Sequence, residues 1–480
     1  MLSNLKPGFA LYKAFKDKLA ERSSHFKYNL SAGNPLVPAF ALAHEAAIKA
    51  MGQHEINVYG EGAGQKRIKK TALVPFCESL GILVEGRAPQ TENVLIGHGS
   101  TSLYDYVVRD AARNAAKHRL ASVPVILVPA PNYGLFCVQP DLCGIEIETL
   151  PLSVENSWQI DTATLENRIK EINATPGRHV ALYYHANPHN PLGMVETPEC
   201  GMALARILKA HDVMAIDDMA YWGQEYKNRA VPLAVHNICR SVTLFSISKT
   251  FGLPGLRGGF AVGDEKTITG MIDYASSSVQ GISLPVQYAV GAAFSMQNEE
   301  AREDYIAQTR ARYLERYEIV QAMIGGIKNL EEASAERKAE IQEIVKTAYG
   351  SLAEARSVLS SGMEDLELVN PDLQSGYFSI LRLKEAARRY YGEQALTNSF
   401  KISAALIDRE HILTLPGLSM LGKGVLDDSF RITFAFDHQT TLVHALKRLH
   451  KAVRVLTDKP NSEIEAQKVE RGLQFDPSWS

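Results

Sequence analysis

The sequence predicts an α/β fold: a three-layer sandwich with a mostly parallel central sheet, joined to a smaller α+β domain. Three observations carry this. Between residues 90 and 265 short β-rich runs recur, separated by stretches of helical character. The runs are continuously apolar rather than alternating, the pattern of strands buried on both faces. After residue 300 the texture shifts to long charged helical segments, then returns to a strand-and-helix pattern.

Taken in order, residues 1–50 form an N-terminal segment expected to join the small domain, and residues 51–310 the large domain. Its expected strands are Val94–Ile96, Val123–Val128, Val180–Tyr184, Val213–Ile216, Val242–Ile247 and Phe260–Val262. Residues 311–457 form the small C-terminal domain, entered through a long helix over Ala301–Met323. Within it, residues 322–369 read as a helical insertion, because Ile341, Ile344, Val345, Ala348 and Leu352 recur at helical spacing beneath a charged face. A lid, an interface arm and a substrate cover are all open to it. Tyr377–Leu383 and Phe430–Phe436 are expected strands, Leu442–Val455 a closing helix, and residues 458–480 a loose tail.

Composition excludes several partners. The 480 residues carry 51 Lys+Arg against 54 Asp+Glu, a net charge of −3, so no global basic field exists to hold nucleic acid or an anionic membrane. The five cysteines form no CxxC pair, which argues against a zinc ribbon or a disulfide framework. There is no run of 18 apolar residues and no apolar core of signal-peptide length at the N-terminus, so a cytoplasmic protein is expected. His185 and His189 stand four apart, but Pro188 and Pro191 break any helix there, and no metal site is expected. The third glycine of a dinucleotide fingerprint falls on Gln65 and on Ser102, so a nicotinamide site is not supported.

Ligands of open α/β sheets sit beyond the carboxyl ends of the strands. Five successive strand ends here carry polar groups: Gly97-His-Gly99-Ser100-Thr101, Pro131-Asn-Tyr133, Asn187-Pro-His-Asn190, Asp217-Asp218-Met-Ala-Tyr221, and Ser248-Lys249. A lysine at a strand end, flanked by hydroxyls, suits imine chemistry once its amine is neutral. Were its partner an aldehyde on a phosphorylated pyridine, Gly99–Thr101, Ser246 and Arg257 would take the phosphate, Tyr133 the ring face, and a carboxylate the ring nitrogen.

The run Ser246-Ile-Ser-Lys249-Thr-Phe-Gly-Leu-Pro-Gly-Leu-Arg257-Gly-Gly259 resembles the lysine motif of class I/II aminotransferases, the fold-type I pyridoxal-phosphate enzymes. Asn190-Pro-Leu-Gly193 is similar to the family's Asn-Pro-x-Gly turn, Asp218-Met-Ala-Tyr221 to its Asp-x-x-Tyr, and Phe430-Arg431-Ile-Thr-Phe-Ala435 to its carboxylate-gripping strand. The likeness runs from about Asn29 to Val455.

The resemblance implies pyridoxal 5′-phosphate as cofactor, Lys249 as Schiff-base lysine and proton shuttle, and Asp218 on the pyridine nitrogen. It implies Asn190 and Tyr221 on the ring hydroxyl, and Tyr133 stacked on the ring. Gly99, Ser100, Thr101, Ser246 and Arg257 would hold the phosphate. Tyr59 would reach the neighbouring subunit's phosphate, which implies a homodimer, and Gly33, Asn190 and Arg431 would hold the substrate carboxylate. Adjacent strand residues point to opposite sides, so only one of Asp217 and Asp218 reaches the pyridine; the spacing to Tyr221 selects Asp218. The implied reaction is amino transfer between an L-amino acid and a 2-oxo acid. A decarboxylase, lyase, cyclase or oxidase on the same fold is the alternative.

Overall fold

A computed structural model of the chain describes residues 28–117, 122–391 and 394–456. The expected tail at 458–480 and the first 27 residues lie outside the described residues. The strands are β1 (Tyr28–Asn29), β2 (Val94–Gly97), β3 (Val123–Ala130), β4 (Glu146–Pro151), β5 (Arg178–Ala186), β6 (Met214–Asp218), β7 (Ser241–Ser246) and β8 (Gly259–Val262). There follow β9 (Leu366–Leu368), β10 (Phe378–Leu383), β11 (Tyr390–Tyr391), β12 (Gln394–Ala395), β13 (Ile412–Leu413), β14 (Leu415–Pro416) and β15 (Ser429–Thr433).

Seven strands form the larger sheet in the order β2-β8-β7-β6-β5-β3-β4. Only β8 runs against its neighbours. The mostly parallel α/β sandwich is therefore as expected, with one added strand. The edge strand β4 pairs with β3 alone, and its sequence Glu146-Ile-Glu-Thr-Leu-Pro151 alternates polar and apolar. A search for continuous apolar runs passes over it, because half-exposed edges keep the two-residue period.

The chain leaves β3 outward to β4 and returns on the other side through β5, β6 and β7. The order thus reverses between β3 and β5, opening a crevice at the carboxyl ends of those strands. Helices cover both faces. On one, Phe76 meets Trp222, Phe245, Phe260 and Phe294 at ring distances of 5.0, 5.5, 6.2 and 4.8 Å. On the other, Tyr104, Phe136 and Tyr184 pack together beneath the crevice. Such aromatic layers bury large areas and hold the strand ends at fixed heights.

The smaller sheet, β14-β15-β10-β9, is antiparallel. The long helix Glu299–Gly325 leads into it, and helix Gln439–Arg454 closes it with Leu442, Leu446 and Leu449 turned inward. The insertion resolves into helices Ala335–Tyr349 and Leu352–Ser361, whose Ile341, Val345, Val358 and Leu359 share that core. Leu352 departs from the expected face and is 60% exposed. Gly350, at φ +69°, ends the first helix, and the Ser351 side chain accepts the Glu354 N–H to start the next, so the helical period is reset between them. None of the residues 322–369 lines the crevice described below.

The segment before residue 50 divides. Strand β1 pairs in parallel with β13, and Leu30 exchanges backbone bonds with Leu413 and Thr433 at 2.8 and 2.7 Å. Helix Ala41–Ala50, by contrast, packs on helix Leu284–Phe294 of the larger unit, with Phe40, Ala43 and Ala47 in the same apolar cluster as Val286, Ala289 and Ala293. Residues 29–34 therefore pass between the two units and over the crevice.

Candidate active site

The crevice is a cavity of about 790 Å³. Eleven of the thirteen residues expected at the site line it: Gly33, Ser100, Thr101, Tyr133, Asn190, Asp218, Tyr221, Ser246, Lys249, Arg257 and Arg431. Gly99 sits at its phosphate-sized end, and Tyr59 lies elsewhere, 90% exposed.

Lys249 follows β7, where the strand gives way to turns over residues 247–252. Its Nζ donates to the Gly33 carbonyl at 2.7 Å. Burial, reinforced by the Arg431 and Arg257 charges, pulls the amine down to about 8, against the opposing pull of Asp218. A lysine so placed has a neutral fraction at ordinary pH, which a surface lysine lacks.

Asp218 ends β6 and is 5% exposed. Its Oδ2 accepts the Tyr184 hydroxyl at 2.8 Å and its Oδ1 the Ala220 N–H at 3.0 Å. Burial is the main cause that pushes it up to about 6; the Asp217 charge adds to this, and the two hydrogen bonds and Lys249 oppose it. Asp217 points to the opposite side of the sheet, where His185 Nδ1 lies 2.7 Å from its Oδ1. Of the two acids, Asp218 alone is in the cavity wall.

At the narrow end helix Gly99–Lys117 begins. Gly99 has φ +76°, a conformation that favours glycine, and a Cβ there would stand 3.3 Å from Arg257 Nη2, close enough to press on the guanidinium. Arg257 Nη1 donates to the Pro254 carbonyl at 3.2 Å, which turns the guanidinium toward the helix start. Unsatisfied N–H groups of a helix N-terminus, two hydroxyls at Ser100 and Thr101, Ser246 and a guanidinium make a cradle for a dianion.

The opposite wall comes from the smaller sheet. Arg431, on β15 and 3% exposed, donates through Nη1 to Asn190 Oδ1 and through Nη2 to the Ser31 carbonyl, each at 3.1 Å. Its guanidinium carbon lies 3.7 Å from the centre of the Phe378 ring, which holds the planar group face-on. Tyr133, on the loop after β3, sets its ring edgewise on Phe136 at 5.4 Å, and its N–H is fixed by the Asn132 side chain at 2.7 Å. Tyr221 is buried beside Tyr377, ring centres 6.0 Å apart, and burial holds its hydroxyl well above the usual phenol range.

Four residues of this arrangement were not among the sequence candidates: Tyr184, Tyr377, Asn132 and Phe378. Tyr377 donates to the Gly33 carbonyl at 2.8 Å, so that one oxygen serves both Tyr377 and Lys249. Tyr184 sits in an apolar run and reads as core; its hydroxyl finds Asp218 only because β5 and β6 pair with Ala186 opposite Asp218. No local signal marks that meeting. Among the described residues no cluster of His, Cys, Asp and Glu could hold a metal ion, and no helix is long and apolar enough to cross a membrane.

Fold and crevice together define a transferase-type α/β sandwich with a lysine at its centre. The sequence matches the family Aminotransferase class I and II over residues 26–335, and the chain belongs to that family. It is 27% identical to Transaminase BacF of Bacillus subtilis (strain 168) over 282 residues, 58% of this chain and 66% of that protein. It is 25% identical to the aspartate aminotransferase of Geobacillus stearothermophilus over 326 residues, 66% of this chain and 76% of that protein. Among solved structures, the aspartate aminotransferase from Rhizobium meliloti superposes with a TM-score of 0.72 at 17% identity, covering 95% of this chain and 98% of that one. The fold is thus that of the aminotransferases, and amino-group transfer is the reaction class of this chain.

Proposed function

We propose that the crevice binds pyridoxal 5′-phosphate and uses it to move an amino group between an L-amino acid and a 2-oxo acid. The observation that supports this most is the placement of Lys249 and Asp218 in one cavity wall, the amine pulled down and the acid buried, with an anion cradle at one end. The residues fit the cofactor. Gly99, with its positive φ, lets the chain turn into the helix beside Arg257, and the helix start with Ser100, Thr101, Ser246 and Arg257 matches a phosphate dianion. Asp218 matches a protonated ring nitrogen, and Asn190 with Tyr221 a ring hydroxyl.

Bound there, the cofactor supplies an aldehyde carbon for the substrate amine and a ring that takes up the electron pair released at the substrate α-carbon. The chain's own groups do the rest. Arg431, already flat on Phe378 and braced by Asn190 and Ser31, presents a fork to the α-carboxylate. The Lys249 Nζ, as a neutral amine, takes the α-proton and returns it one position along. Asp218 keeps a proton on the ring nitrogen by remaining ionised beside it, and Tyr133 covers the ring face.

Two copies of the chain are part of this reading. Ile48, Met51, Val58 and Tyr59 are 60, 62, 62 and 90% exposed within one short stretch, an apolar strip that a second subunit would cover while Tyr59 enters its crevice. Cytoplasmic residence is supported by five cysteines that are all free.

The test is an amino-acid panel with a 2-oxo acid acceptor, followed by borohydride reduction and peptide mapping. Acceptor-dependent formation of a new 2-oxo acid, with the reduced adduct on Lys249, is expected. Carbon dioxide, ammonia or peroxide without an acceptor, or an adduct on another peptide, would overturn the reading.

A further inference from the structure

Behind Asp218, on the far side of β5 and β6, three ionisable side chains are packed out of water. His185, Asp217 and Glu196 are 4, 0 and 8% exposed. His185 Nδ1 lies 2.7 Å from Asp217 Oδ1, and Nε2 lies 3.2 Å from Glu196 Oε1. The other Asp217 oxygen accepts the Leu233 N–H at 2.9 Å and the Thr243 hydroxyl at 3.2 Å. A neutral imidazole can donate from one nitrogen only; with both carboxyl groups ionised, a ring that has a carboxylate oxygen at each nitrogen is satisfied on both sides only when it carries two protons. Two buried carboxylates without a cation would also carry a prohibitive desolvation penalty.

The cluster is tied to the crevice by one residue. Asn187 donates its N–H to the Asp218 carbonyl at 3.2 Å, its side-chain oxygen accepts the Glu196 N–H at 3.1 Å, and its side-chain NH2 donates to the Val231 carbonyl at 3.3 Å. Three residues on, the same turn delivers Asn190. We propose that His185 is a permanent imidazolium whose charge offsets Asp217 and Glu196, keeping the neighbouring Asp218 ionised: a positioning residue that acts on the reaction through Asp218. This rests on the reading of Asp218 as the partner of the cofactor's ring nitrogen.

The electrostatics agree with the geometry. Burial alone would strip the proton from His185, yet the Glu196 and Asp217 carboxylates override it and raise the ring to about 10. The charge of Asp217 is one of the influences that push Asp218 up, and an imidazolium against Asp217 cancels much of it at the distance of Asp218. The other titratable groups around the ring supply no positive charge. His189, from the turn, is driven down to about 3 by burial and by the His185 charge; His236 is lowered by burial. Cys200, Cys239 and Tyr183 are all pushed up by burial and stay neutral.

The holoenzyme labelled with 15N-histidine decides the matter, with the His185 signals assigned by their loss in His185→Gln. Both ring nitrogens should remain protonated from pH 6 to 9; a ring that titrates near 6.5, or is neutral throughout, overturns the proposal. In kinetics, His185→Gln should move the acidic limb of kcat/KM upward by about one pH unit and lower the rate below that limb about tenfold. Adding Asp217→Asn to that variant should move the limb back. Asp217→Asn alone should move it below the wild-type position, which keeps the idea falsifiable if His185→Gln does not fold. A lower melting temperature with an unmoved pH profile in these variants would reduce the cluster to a structural role and defeat the proposal. The nitrogen signals do not depend on the cofactor reading: absence of a reducible adduct at Lys249 would sink that reading while leaving the charge of His185 measured.

Discussion

Asp217 and Asp218 are neighbours on one strand and occupy opposite environments. Asp218 faces the crevice with two hydrogen-bond donors and an amine opposite; Asp217 faces the interior with an imidazole, a backbone N–H and a hydroxyl. The two-residue period of a strand is the whole cause of the split. It teaches that one central strand can present the proposed reacting face on one side and a supporting face on the other, with the Asp217 charge acting on Asp218 from the next residue.

Substitutions on the two faces test that division, and the largest effect belongs to the reacting one. Lys249→Ala should lower turnover by about 10³-fold or more, since it removes the group proposed to move the proton, while the circular dichroism spectrum stays native. Asp218→Asn should cost on the order of 10²-fold in kcat, the usual scale for removing one preorganised electrostatic partner. Asp217→Asn, on the supporting face, should change kcat by no more than about tenfold and act chiefly on the pH profile. Equal losses in these last two variants would erase the distinction between the faces. Arg431→Lys keeps the charge and loses the planar fork on Phe378; KM for the amino acid should rise about tenfold with a smaller change in kcat.

Stability sharpens the same comparison from the other direction. Asp218 is raised to about 6 in the fold, above its value in the unfolded chain. A raised group contributes stability that is complete below the unfolded value and is lost as pH climbs through the folded one, so ionised Asp218 weakens the apoprotein at neutral pH. Lys249 is lowered to about 8, and its contribution is present above its unfolded value and lost as pH falls through the folded one. Asp218→Asn should therefore melt higher than the parent at pH 7, by roughly 3 kcal/mol at most, and no higher at pH 3.5, as calorimetry of the cofactor-free protein would show. The smallest effect is expected far away. Leu352→Ser should shift stability by less than about 0.5 kcal/mol, whereas Ile341→Ala, one helix earlier and fully buried, should cost about 3 kcal/mol.

Much of this was legible in the amino-acid order. Continuous apolar runs locate six of the seven strands of the larger sheet, all but the half-exposed edge strand β4, because burial on both faces removes the polar alternation. Strand ends are the places where an α/β sheet presents ligands, so the residues after each run could be read as one set before any geometry was known. What stayed hidden depended on register and on distant segments. Tyr184 looks like any buried tyrosine until β5 is aligned with β6, and Tyr377 until residue 33 is brought over β10. Residues 335–352 have the apolar spacing of one helix, and a single glycine, Gly350, resets the period without altering the apolar count. His185 and His189 stand four apart without forming a metal pair, and one acid that pairs with His185, Glu196, lies on the far side of the turn.

One oxygen atom joins the parts. The Gly33 carbonyl receives the Lys249 amine and the Tyr377 hydroxyl, and four residues earlier the same strip of backbone is stitched edge to edge with β13. That carbonyl sets the spacing between the amine and the phenol, so a change that displaces residues 29–34 is expected to disturb both groups together.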